Sequence, residues 1–513
     1  MDIALLAEGT YPYHPGGVSV WCDQLVRGLA PHRFDIYSII GGNDHEPSWE
    51  LPDNVIGLHP IQLWGGAPSS RQSKASSAEL NAVFSQLASS MVEANGEPAF
   101  LEALRHLFEL SLERPLTGAL QSKESLEILL GAMQLAGPTN RRLAGTAASA
   151  TVSDARIALE LIEHQLRPLF VPPPKVDICH ATANGLSVLP ALGAYWSRAT
   201  PLVLSEHGIY LRERYLSYDA RTYAPAVRAI MLRFFKRLTW AGYQIADAIA
   251  PGSEYNRQWQ EANGGASERI RPIYNGVDAA NFITSRSEPE IPTLVWLGRI
   301  DPLKDVETLL RAFAIVRERI PTARLRIFGA ASNQNLDYLE RCIALRDSLG
   351  LVGAATFEGR VASVIDAYHA GHVVLLTSIS EGFPYTLIEA MAAGMPTVAT
   401  DVGGVREATG DAGVIVPPQN PEQTAEACLM LLADADLRHD IGFAARSRIL
   451  SMFTLEQSLA IFGDLYREVT GRITSAPVLE RQERARESEH IDGPQVAGTG
   501  TEPLRALAPL PGS

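Results

Sequence analysis

The stretch from Thr377 to Asp401, TSISEGFPYTLIEAMAAGMPTVATD, constrains the fold more than any other part of the chain. The apolar run VVLLTS leads into it, and a second apolar run, PTVAT, lies near its end. Between them Pro384 occupies the expected first position of a helix and Gly394 the expected stop. Strand, tight turn, short buried helix and strand form a βαβ unit, which belongs to a parallel sheet.

Two carboxylates in this unit indicate a binding site. Glu389 is the one charged residue of the helical segment TLIEAMAA. An unpaired buried charge is too costly to keep, so Glu389 must be paired or must bind something. Glu381 follows a strand directly, at the end of an open α/β sheet where ligands bind. A helix N-terminus comes next, and such a terminus is a natural anion site.

Composition limits the class of protein. With 513 residues, a prior of roughly 150 residues per domain suggests two to four domains. The net charge of −14 argues against a nucleic-acid or anionic-lipid surface, although a local basic pocket for a small phosphate ligand stays open. Four cysteines without CxxC spacing read as buried, reduced thiols in a cytosolic protein: Cys22, Cys179, Cys342 and Cys428. Neither a signal peptide nor a membrane span is expected, so we predict a cytoplasmic location with any membrane association coming through a partner.

The first half of the chain alternates strand and helix signals. Ile3 to Ala7 is an apolar run, and Val18 to Leu29 has helical spacing. Gly16 and Gly17 lie between them, where the backbone can approach a phosphate or sugar closely, although a plain turn explains them equally well. The strand PLVLSEHG places His207 at its carboxyl end, where both a structural and a functional role stay open. The following IYLRERYLSY is interpreted as a lid or acceptor-side loop.

The second half repeats the alternation. The strand TLVWLG ends at Arg299, and Lys304 shares the loop that follows it. Two cations there suit an anionic ligand such as a diphosphate, with a solvated surface loop as the alternative. Gly359 and Arg360 stand at the tip of the later strand ATFEGRV. The triplet Asp434-Ala-Asp436 lies in a polar turn between helices, and we reject it as a catalytic metal site.

The predicted fold is α/β, with two parallel-sheet domains that face a cleft. The first domain covers 1–285 and carries a helical insertion at about 65–168, where strand signals disappear. The second covers 286–455. A helix over 456–474 is expected to pack back on the first domain, and the Pro- and Gly-rich tail 475–513 is expected to be disordered.

Ordered motifs carry a resemblance to a known family. Glu381 and Glu389 have the E-x7-E spacing of retaining glycosyltransferases of family 4. SEGFP, EAMAAGMPTVATDVGGVRE, an upstream GR-x4-K and NGVD all occur in the expected order. Residues 1 to about 470 thus resemble a GT-B glycosyltransferase. More narrowly, EGTYPYHPGGVSVWCDQL, SEHGIYLRER and the insertion resemble the PelF group, which serves Pel exopolysaccharide production.

The resemblance implies a role for each candidate residue. Arg299 and Lys304 would hold the nucleotide diphosphate and stabilise charge on the leaving phosphate. Glu389 would accept hydrogen bonds from the ribose hydroxyls, Glu381 would stand at the donor sugar, and His207 would lie near the reacting bond. Gly16 and Gly17 would close on the diphosphate, whereas Gly359 and Arg360 would hold the base.

One position departs from the family pattern. Many relatives have glycine where this chain has Pro384. Proline has no N–H group, so backbone contacts to phosphate or sugar must come from Tyr385, Thr386 and their neighbours. The identity of the donor sugar is therefore open.

The resemblance implies a retaining hexosyl- or N-acetylhexosaminyltransferase that uses a UDP-sugar, without a metal ion or other cofactor. It would extend an exopolysaccharide acceptor at the inner face of the membrane, with membrane-bound synthase partners. Three alternatives stay open: a GT-B enzyme with another nucleotide-sugar donor, a sugar-nucleotide epimerase, and a catalytically silent scaffold subunit of a synthase complex.

Overall fold

Two parallel sheets form the framework of the chain in a computed structural model, which describes residues 1–42, 46–65, 77–135, 150–218, 222–284 and 287–475. The strands of the first sheet are β1 (Asp2–Glu8), β2 (Arg33–Ile40), β3 (Val55–Gln62), β4 (Ile178–Ala181), β5 (Leu202–Glu206) and β6 (Ala248–Pro251). Those of the second are β7 (Thr293–Leu297), β8 (Arg324–Phe328), β9 (Ala355–Gly359), β10 (Val373–Leu376), β11 (Thr397–Thr400) and β12 (Val414–Val416).

The two sheets have the same topology. The first has the order β3-β2-β1-β4-β5-β6, and the second β12-β11-β10-β7-β8-β9. All pairings are parallel, so the prediction of two parallel-sheet α/β domains is confirmed. The strand order reverses between β1 and β4 and between β7 and β10. Open α/β sheets bind ligands at the carboxyl ends of the strands that flank such a reversal.

The burial of each strand explains whether it could be predicted from the sequence. Every residue of β4, β5, β6, β10 and β11 is buried, which gives the continuous apolar runs expected of parallel strands covered on both faces. Sequence analysis did not predict β3, which lies at the edge of its sheet and is mostly half-buried or exposed. Its Gly57 and Pro60 weaken a strand pattern, and proline is tolerated in sheets mainly at edges.

Helices flank both sheets. Those of the first half are α1 (Gly17–Gly28), α2 (Ser77–Val92), α3 (Glu97–Glu113), α4 (Lys123–Leu135), α5 (Val152–Leu166), α6 (Val188–Arg198), α7 (Tyr210–Ser217), α8 (Pro225–Ile245) and α9 (Glu254–Ala262). Those of the second half are α10 (Val306–Arg319), α11 (Leu336–Ser348), α12 (Val364–Tyr368), α13 (Tyr385–Ala392), α14 (Val405–Thr409), α15 (Pro421–Ala433), α16 (Ala435–Met452) and α17 (Leu455–Ser475).

Two local predictions were wrong. The segment interpreted as a loop after His207 forms helix α7. Its first turn is fixed because the buried carboxylate of Glu206 accepts a hydrogen bond from the Tyr210 amide, at 2.9 Å. Pro384 precedes helix α13 instead of starting it, since its ψ of 119° is extended.

The helical insertion is part of the first domain's core. Helices α2 to α5 lie between β3 and β4, and their apolar side chains share one buried cluster with those of β4 and α8. Phe100 of α3 packs edge to face on Phe234 of α8, with ring centroids 5.7 Å apart. The fully buried Glu163 accepts hydrogen bonds from the Gly118 amide and from Arg167. The insertion is therefore tied to the domain by both packing and buried polar contacts.

The last described helix, α17, returns to the first domain. Phe462 and Tyr466 are buried against α1 and the first sheet. The Tyr466 hydroxyl lies 2.5 Å from Nδ1 of His180 on β4, and Nε2 of the same ring lies 2.8 Å from Ser205 Oγ. This helix therefore joins the end of the second domain to the centre of the first sheet. The tail predicted to be disordered lies, from residue 476 onward, outside the described residues.

The four cysteines are buried and free, as predicted. Asp434, rejected above as a metal ligand, caps α16 by accepting a hydrogen bond from the Leu437 amide at 2.9 Å. Among the described helices, none combines the length and the apolar character that crossing a membrane requires.

Replacing Tyr466 with Phe is expected to lower the free energy of unfolding by about 1–3 kcal/mol, because the buried His180 ring loses a hydrogen-bond partner. Thermal and denaturant unfolding followed by circular dichroism measures the change. Ile461→Ala on the same helix is the control, since this side chain is 49% exposed and its loss should cost no more than about 0.5 kcal/mol. Equal effects of the two substitutions would contradict the expectation.

Candidate active site

The carboxyl ends of the two sheets face one another across a cleft, and their loops touch. A Cβ atom on Gly382 would lie 1.8 Å from the carbonyl oxygen of His207, so only glycine allows this approach. Beside it, Nδ2 of Asn275 donates a hydrogen bond to the carbonyl of Phe383 at 3.1 Å. The loop after β10 in the second domain therefore lies directly against the loop after β5 in the first.

Lys304 and Glu381 meet at the strand reversal of the second sheet. Lys304 ends a short 3-10 turn after β7, and Glu381 follows β10, the neighbouring strand. Lys304 Nζ lies 2.5 Å from Glu381 Oε1, which also accepts a hydrogen bond from Ser378 at 2.5 Å. The Lys304 side chain is 19% exposed and that of Glu381 9%. Two predicted site residues thus form one ion pair, and both contacts are made to a single carboxylate oxygen.

Arg299 lies on the same loop as Lys304 but stays exposed. Among the described residues no carboxylate forms an ion pair with it. Its charge still acts across the cleft on Glu213 of α7. Desolvation by the surrounding protein, followed by the charge of Glu206, raises the pKa of Glu213, whereas Arg299 lowers it. Arg299 is therefore a cation directed at the first domain and available to an anionic ligand.

Glu389 is held through one of its oxygens. The hydroxyl of the fully buried Tyr368 donates a hydrogen bond to Oε2 at 2.7 Å. Desolvation raises the pKa of Glu389, and this hydrogen bond lowers it in part. Within the described part of the chain, the carboxylate has no other hydrogen bond. The second oxygen, Oε1, can therefore accept a hydrogen bond from a ligand.

The glycine pair and helix α13 lie together. Gly16 and Gly17 are exposed at the start of α1, and a Cβ atom on Gly17 would lie 3.6 Å from Cδ2 of Tyr385. A Cβ atom on Gly16 would meet no atom within 4 Å. As the first residues of α13, Tyr385 and Thr386 have N–H groups without an acceptor inside the helix. The space in front of Gly16 is thus open and lies near amide donors of the second domain.

His207 is held in its neutral form. Desolvation lowers the pKa of the imidazole to about 4. Trp21 of α1 packs edge to face on the ring, with centroids 4.5 Å apart. Nε2 is buried and has no hydrogen-bond partner among the described residues. A neutral imidazole with an unused nitrogen therefore stands opposite the Glu381 loop.

Gly359 and Arg360 lie apart from this group. They stand at the end of β9, the edge strand, which β8 separates from β7. Neighbouring strands are about 4.8 Å apart, so these residues lie about 10 Å from the strand that leads to Arg299. Arg360 is exposed, and a Cβ atom on Gly359 would meet nothing within 4 Å. The structure places them at the same edge of the sheet as Arg299. An extended ligand with one end at Arg299 would have its far end near them.

Sequence analysis missed the residues that hold the candidate groups in place. Tyr368 precedes Glu389 by 21 positions and Ser378 contacts Glu381 from the preceding turn. Trp21 falls within the helical pattern of Val18 to Leu29, which gives no sign of its contact with His207. Helical periodicity identifies such side chains as core and gives no signal of what they contact. Asn275 belongs to the NGVD motif, which was the one sequence signal that pointed to any of these residues.

Two family models match the chain. The family described as a domain of unknown function, DUF3492, matches residues 1–268, and the family described as glycosyl transferases group 1 matches residues 291–434. Their boundary falls between the two sheets. The first match covers more than half of the chain and includes the insertion.

Curated relatives match part of the chain. A D-inositol 3-phosphate glycosyltransferase of Rhodococcus jostii is 31% identical over 246 residues, which is 46% of this chain and 54% of that protein. The sulfoquinovosyl transferase SQD2 of Arabidopsis thaliana is 28% identical over 281 residues, 53% of each chain. The chain thus spans about half the length of the curated relatives it matches.

Solved structures share the fold. The HepE protein of Anabaena, in complex with UDP, aligns with a TM-score of 0.60 at 15% identity over 91% of this chain and 100% of that chain. Sucrose-phosphate synthase of Thermosynechococcus elongatus gives a TM-score of 0.60 at 18% identity over 92% and 99%. The chain belongs to the DUF3492 family and has a GT-B fold, in which the second domain matches the model described as glycosyl transferases group 1.

Proposed function

We propose that the protein is a retaining glycosyltransferase that transfers a hexose or N-acetylhexosamine from a UDP-sugar to a saccharide. The observation that carries this proposal is the grouping of Arg299 and the Lys304–Glu381 pair at the strand reversal of the second sheet. His207 faces the same loop from the first domain. Cations, a carboxylate and a neutral imidazole at one cleft are the groups that sugar transfer from a nucleoside diphosphate needs.

Departure of the nucleotide places growing negative charge on its diphosphate. Arg299 is exposed and unpaired within the described chain, and Lys304 lies on the same loop. The free N–H groups at the start of α13 add the positive end of a helix. Fixed donors of this kind stabilise developing charge without reorganisation during the reaction, which is the largest contribution in many enzymes.

The donor sugar would lie between Glu381 and His207. Lys304 and Ser378 occupy Oε1 of Glu381, so Oε2 is the oxygen left to accept hydrogen bonds from sugar hydroxyls. The neutral His207 would lie on the opposite side, and its buried Nε2 has no hydrogen-bond partner among the described residues. Contact between the loops of the two domains limits the entry of water, which would otherwise hydrolyse the donor.

The nucleotide would extend from this point along the edge of the sheet. Glu389 would accept a hydrogen bond from the ribose through the oxygen that Tyr368 leaves free. The base would reach the end of β9, at Gly359 and Arg360. The family resemblance supports UDP as the nucleotide. The similar fold of HepE, which was solved with UDP and with UDP-glucose, also supports it.

We propose an exopolysaccharide as the product. The resemblance of the chain to the PelF group supports this assignment. A protein of Streptomyces coelicolor named exopolysaccharide phosphotransferase is also 32% identical over 44% of this chain, although the match covers only 24% of that protein. On this proposal the protein acts at the cytoplasmic face of the membrane and reaches it through synthase partners.

Calorimetry with purified protein tests the donor site. UDP is expected to bind, and Arg299→Ala should weaken binding about tenfold to a hundredfold, because a charge-assisted hydrogen bond to phosphate contributes about 1.5–3 kcal/mol. Arg311→Ala is the matched control, since Arg311 is an exposed arginine on α10 outside the cleft. Failure of UDP to bind, or equal affinity of the Arg299→Ala and Arg311→Ala proteins, would refute the assignment.

Competition and turnover separate the alternatives. ADP or GDP displacing UDP at lower concentration would identify another donor. Conversion of a UDP-sugar into its epimer without UDP release would identify an epimerase. UDP binding without release of UDP from any UDP-sugar, even with partner proteins present, would identify a scaffold subunit.

The Tyr368–Glu389 contact predicts a pH dependence of ribose recognition. The ionised carboxylate is the better acceptor, so affinity should be full above the pKa of Glu389 and fall below it. Tyr368→Phe removes the hydrogen bond that lowers this raised pKa. Loss of affinity should therefore begin at a higher pH in the variant.

Calorimetry with UDP and 2′-deoxy-UDP isolates this effect, because the phosphates titrate alike in both ligands. The preference for UDP over 2′-deoxy-UDP should decline at higher pH in Tyr368→Phe than in the parent protein. Tyr215→Phe is the control, since Tyr215 is 48% exposed on α7. An equal loss of affinity for both ligands at every pH would show that Tyr368 has only a structural role.

A further inference from the structure

A cavity beside the proposed donor site adjoins the loop that carries Glu381. It has a volume of about 580 Å³ and opens to solvent between the two domains. Small-molecule sites commonly occupy about 300–1,000 Å³. Its walls come from α7, from the first half of α9, from the loops after β10 and β11 and from the start of α14.

The cavity adjoins the proposed donor-sugar position. Ile379, two residues before Glu381, is one of its lining residues. Gly403, another, packs so closely that a Cβ atom on it would lie 1.9 Å from the carbonyl oxygen of Glu381. In the sheet order β11-β10-β7-β8-β9, the cavity at β11 and the proposed base position at β9 lie on opposite sides of Glu381.

The carboxylates around the cavity are already paired. Asp401 accepts hydrogen bonds from Arg406 at 3.1 and 2.5 Å. Glu254 lies 2.5 Å from Arg257. Glu407 accepts hydrogen bonds from the first two amides of α9, at 2.7 and 2.6 Å. Arginines balance the charges of Asp401 and Glu254, whereas Glu407 is held by uncharged amides.

Arg212 differs from the other charged residues of the wall. Its guanidinium lies over the ring of Trp259, 5.9 Å from the centroid, and forms no ion pair with any described residue. Gln258 of α9 faces the same cavity. A guanidinium and an amide are suited to sugar hydroxyls and to the carbonyl of an N-acetyl group, because both supply N–H donors. A protonated amine at the same position would be repelled by Arg212.

We propose that this cavity binds the saccharide acceptor through an uncharged, hydroxyl- or N-acetyl-bearing unit, and that Arg212 determines this specificity. The proposal rests on the function proposed above. The acceptor hydroxyl oxygen would form a bond to the anomeric carbon of the donor as the bond from that carbon to the phosphate oxygen breaks. UDP leaves with that electron pair and takes up the hydroxyl proton.

The experiment uses three trisaccharides as probes with a UDP-sugar that the protein turns over: maltotriose, tri-N-acetylchitotriose and chitotriose, whose amines are free. Arg212→Ala is expected to lower kcat/KM for the two neutral probes about tenfold or more, mainly through KM, because a hydrogen bond to a charged group is lost. Gln258→Trp should give a similar loss by filling the cavity. Affinity for UDP, measured by calorimetry, should change less than about twofold.

Arg311→Ala is again the control and should transfer at the parental rate. The inference is overturned if neither neutral probe binds the UDP-loaded parent protein in saturation-transfer NMR, or if chitotriose is used as well as its acetylated form. An Arg212→Ala protein that loses UDP affinity as much as transfer also overturns it. Absence of UDP binding in the parent protein is a different result, since it refutes the proposed function itself.

Discussion

The arrangement of the site depends on the close backbone contact between the two domains. Gly382 of the second domain lies against the carbonyl of His207 in the first, and within the second domain Gly403 lies against the carbonyl of Glu381. Any side chain at these two glycines would force the loops apart, because a Cβ atom would come within 2 Å of a backbone oxygen. The glycines of SEGFP and DVGG thus set how closely Glu381 approaches the first domain.

Around this point the domains are joined by hydrogen bonds and by the packing of Phe383 on Tyr274, with ring centroids 5.1 Å apart. Asn275 donates to the Phe383 carbonyl, the Tyr385 hydroxyl donates to Gln24, and Glu407 accepts from amides of α9. Interfaces of this kind between domains of one chain are more polar than obligate interfaces, and relative motion is their usual property. Helix α17 is different, since its buried aromatic side chains fix the chain crossing to the first sheet. The two domains are thus joined both by the packed crossing of α17 and by contacts between their facing loops.

The two parallel sheets and the charged candidate site residues could be predicted from the sequence because both leave local signals. Fully buried parallel strands are continuous apolar runs, and Glu389 is an isolated charge on an apolar helix. What a side chain contacts across the sheet leaves no such signal. Tyr368 and Trp21 look like ordinary core residues in sequence, and the pairing of Lys304 with Glu381 joins loops 77 positions apart. The helix α7 was missed because it is anchored by Glu206 and Tyr210, a tertiary contact, and not by amphipathic spacing.

The Lys304–Glu381 pair links the binding of an anionic donor to the recognition of its sugar in the proposed reaction. The net charge of the chain is −14, so an anionic donor must find its cations locally. Arg299 is available without cost, whereas Lys304 is shared with a carboxylate at 2.5 Å. Both side chains are largely buried, so separating the two charges with no new partner would cost about 3–5 kcal/mol. A diphosphate can therefore draw Lys304 away from Glu381 only as sugar hydroxyls take its place on the carboxylate, whose Oε1 keeps the hydrogen bond from Ser378. Binding of the nucleotide and recognition of the sugar would then be coupled through one lysine.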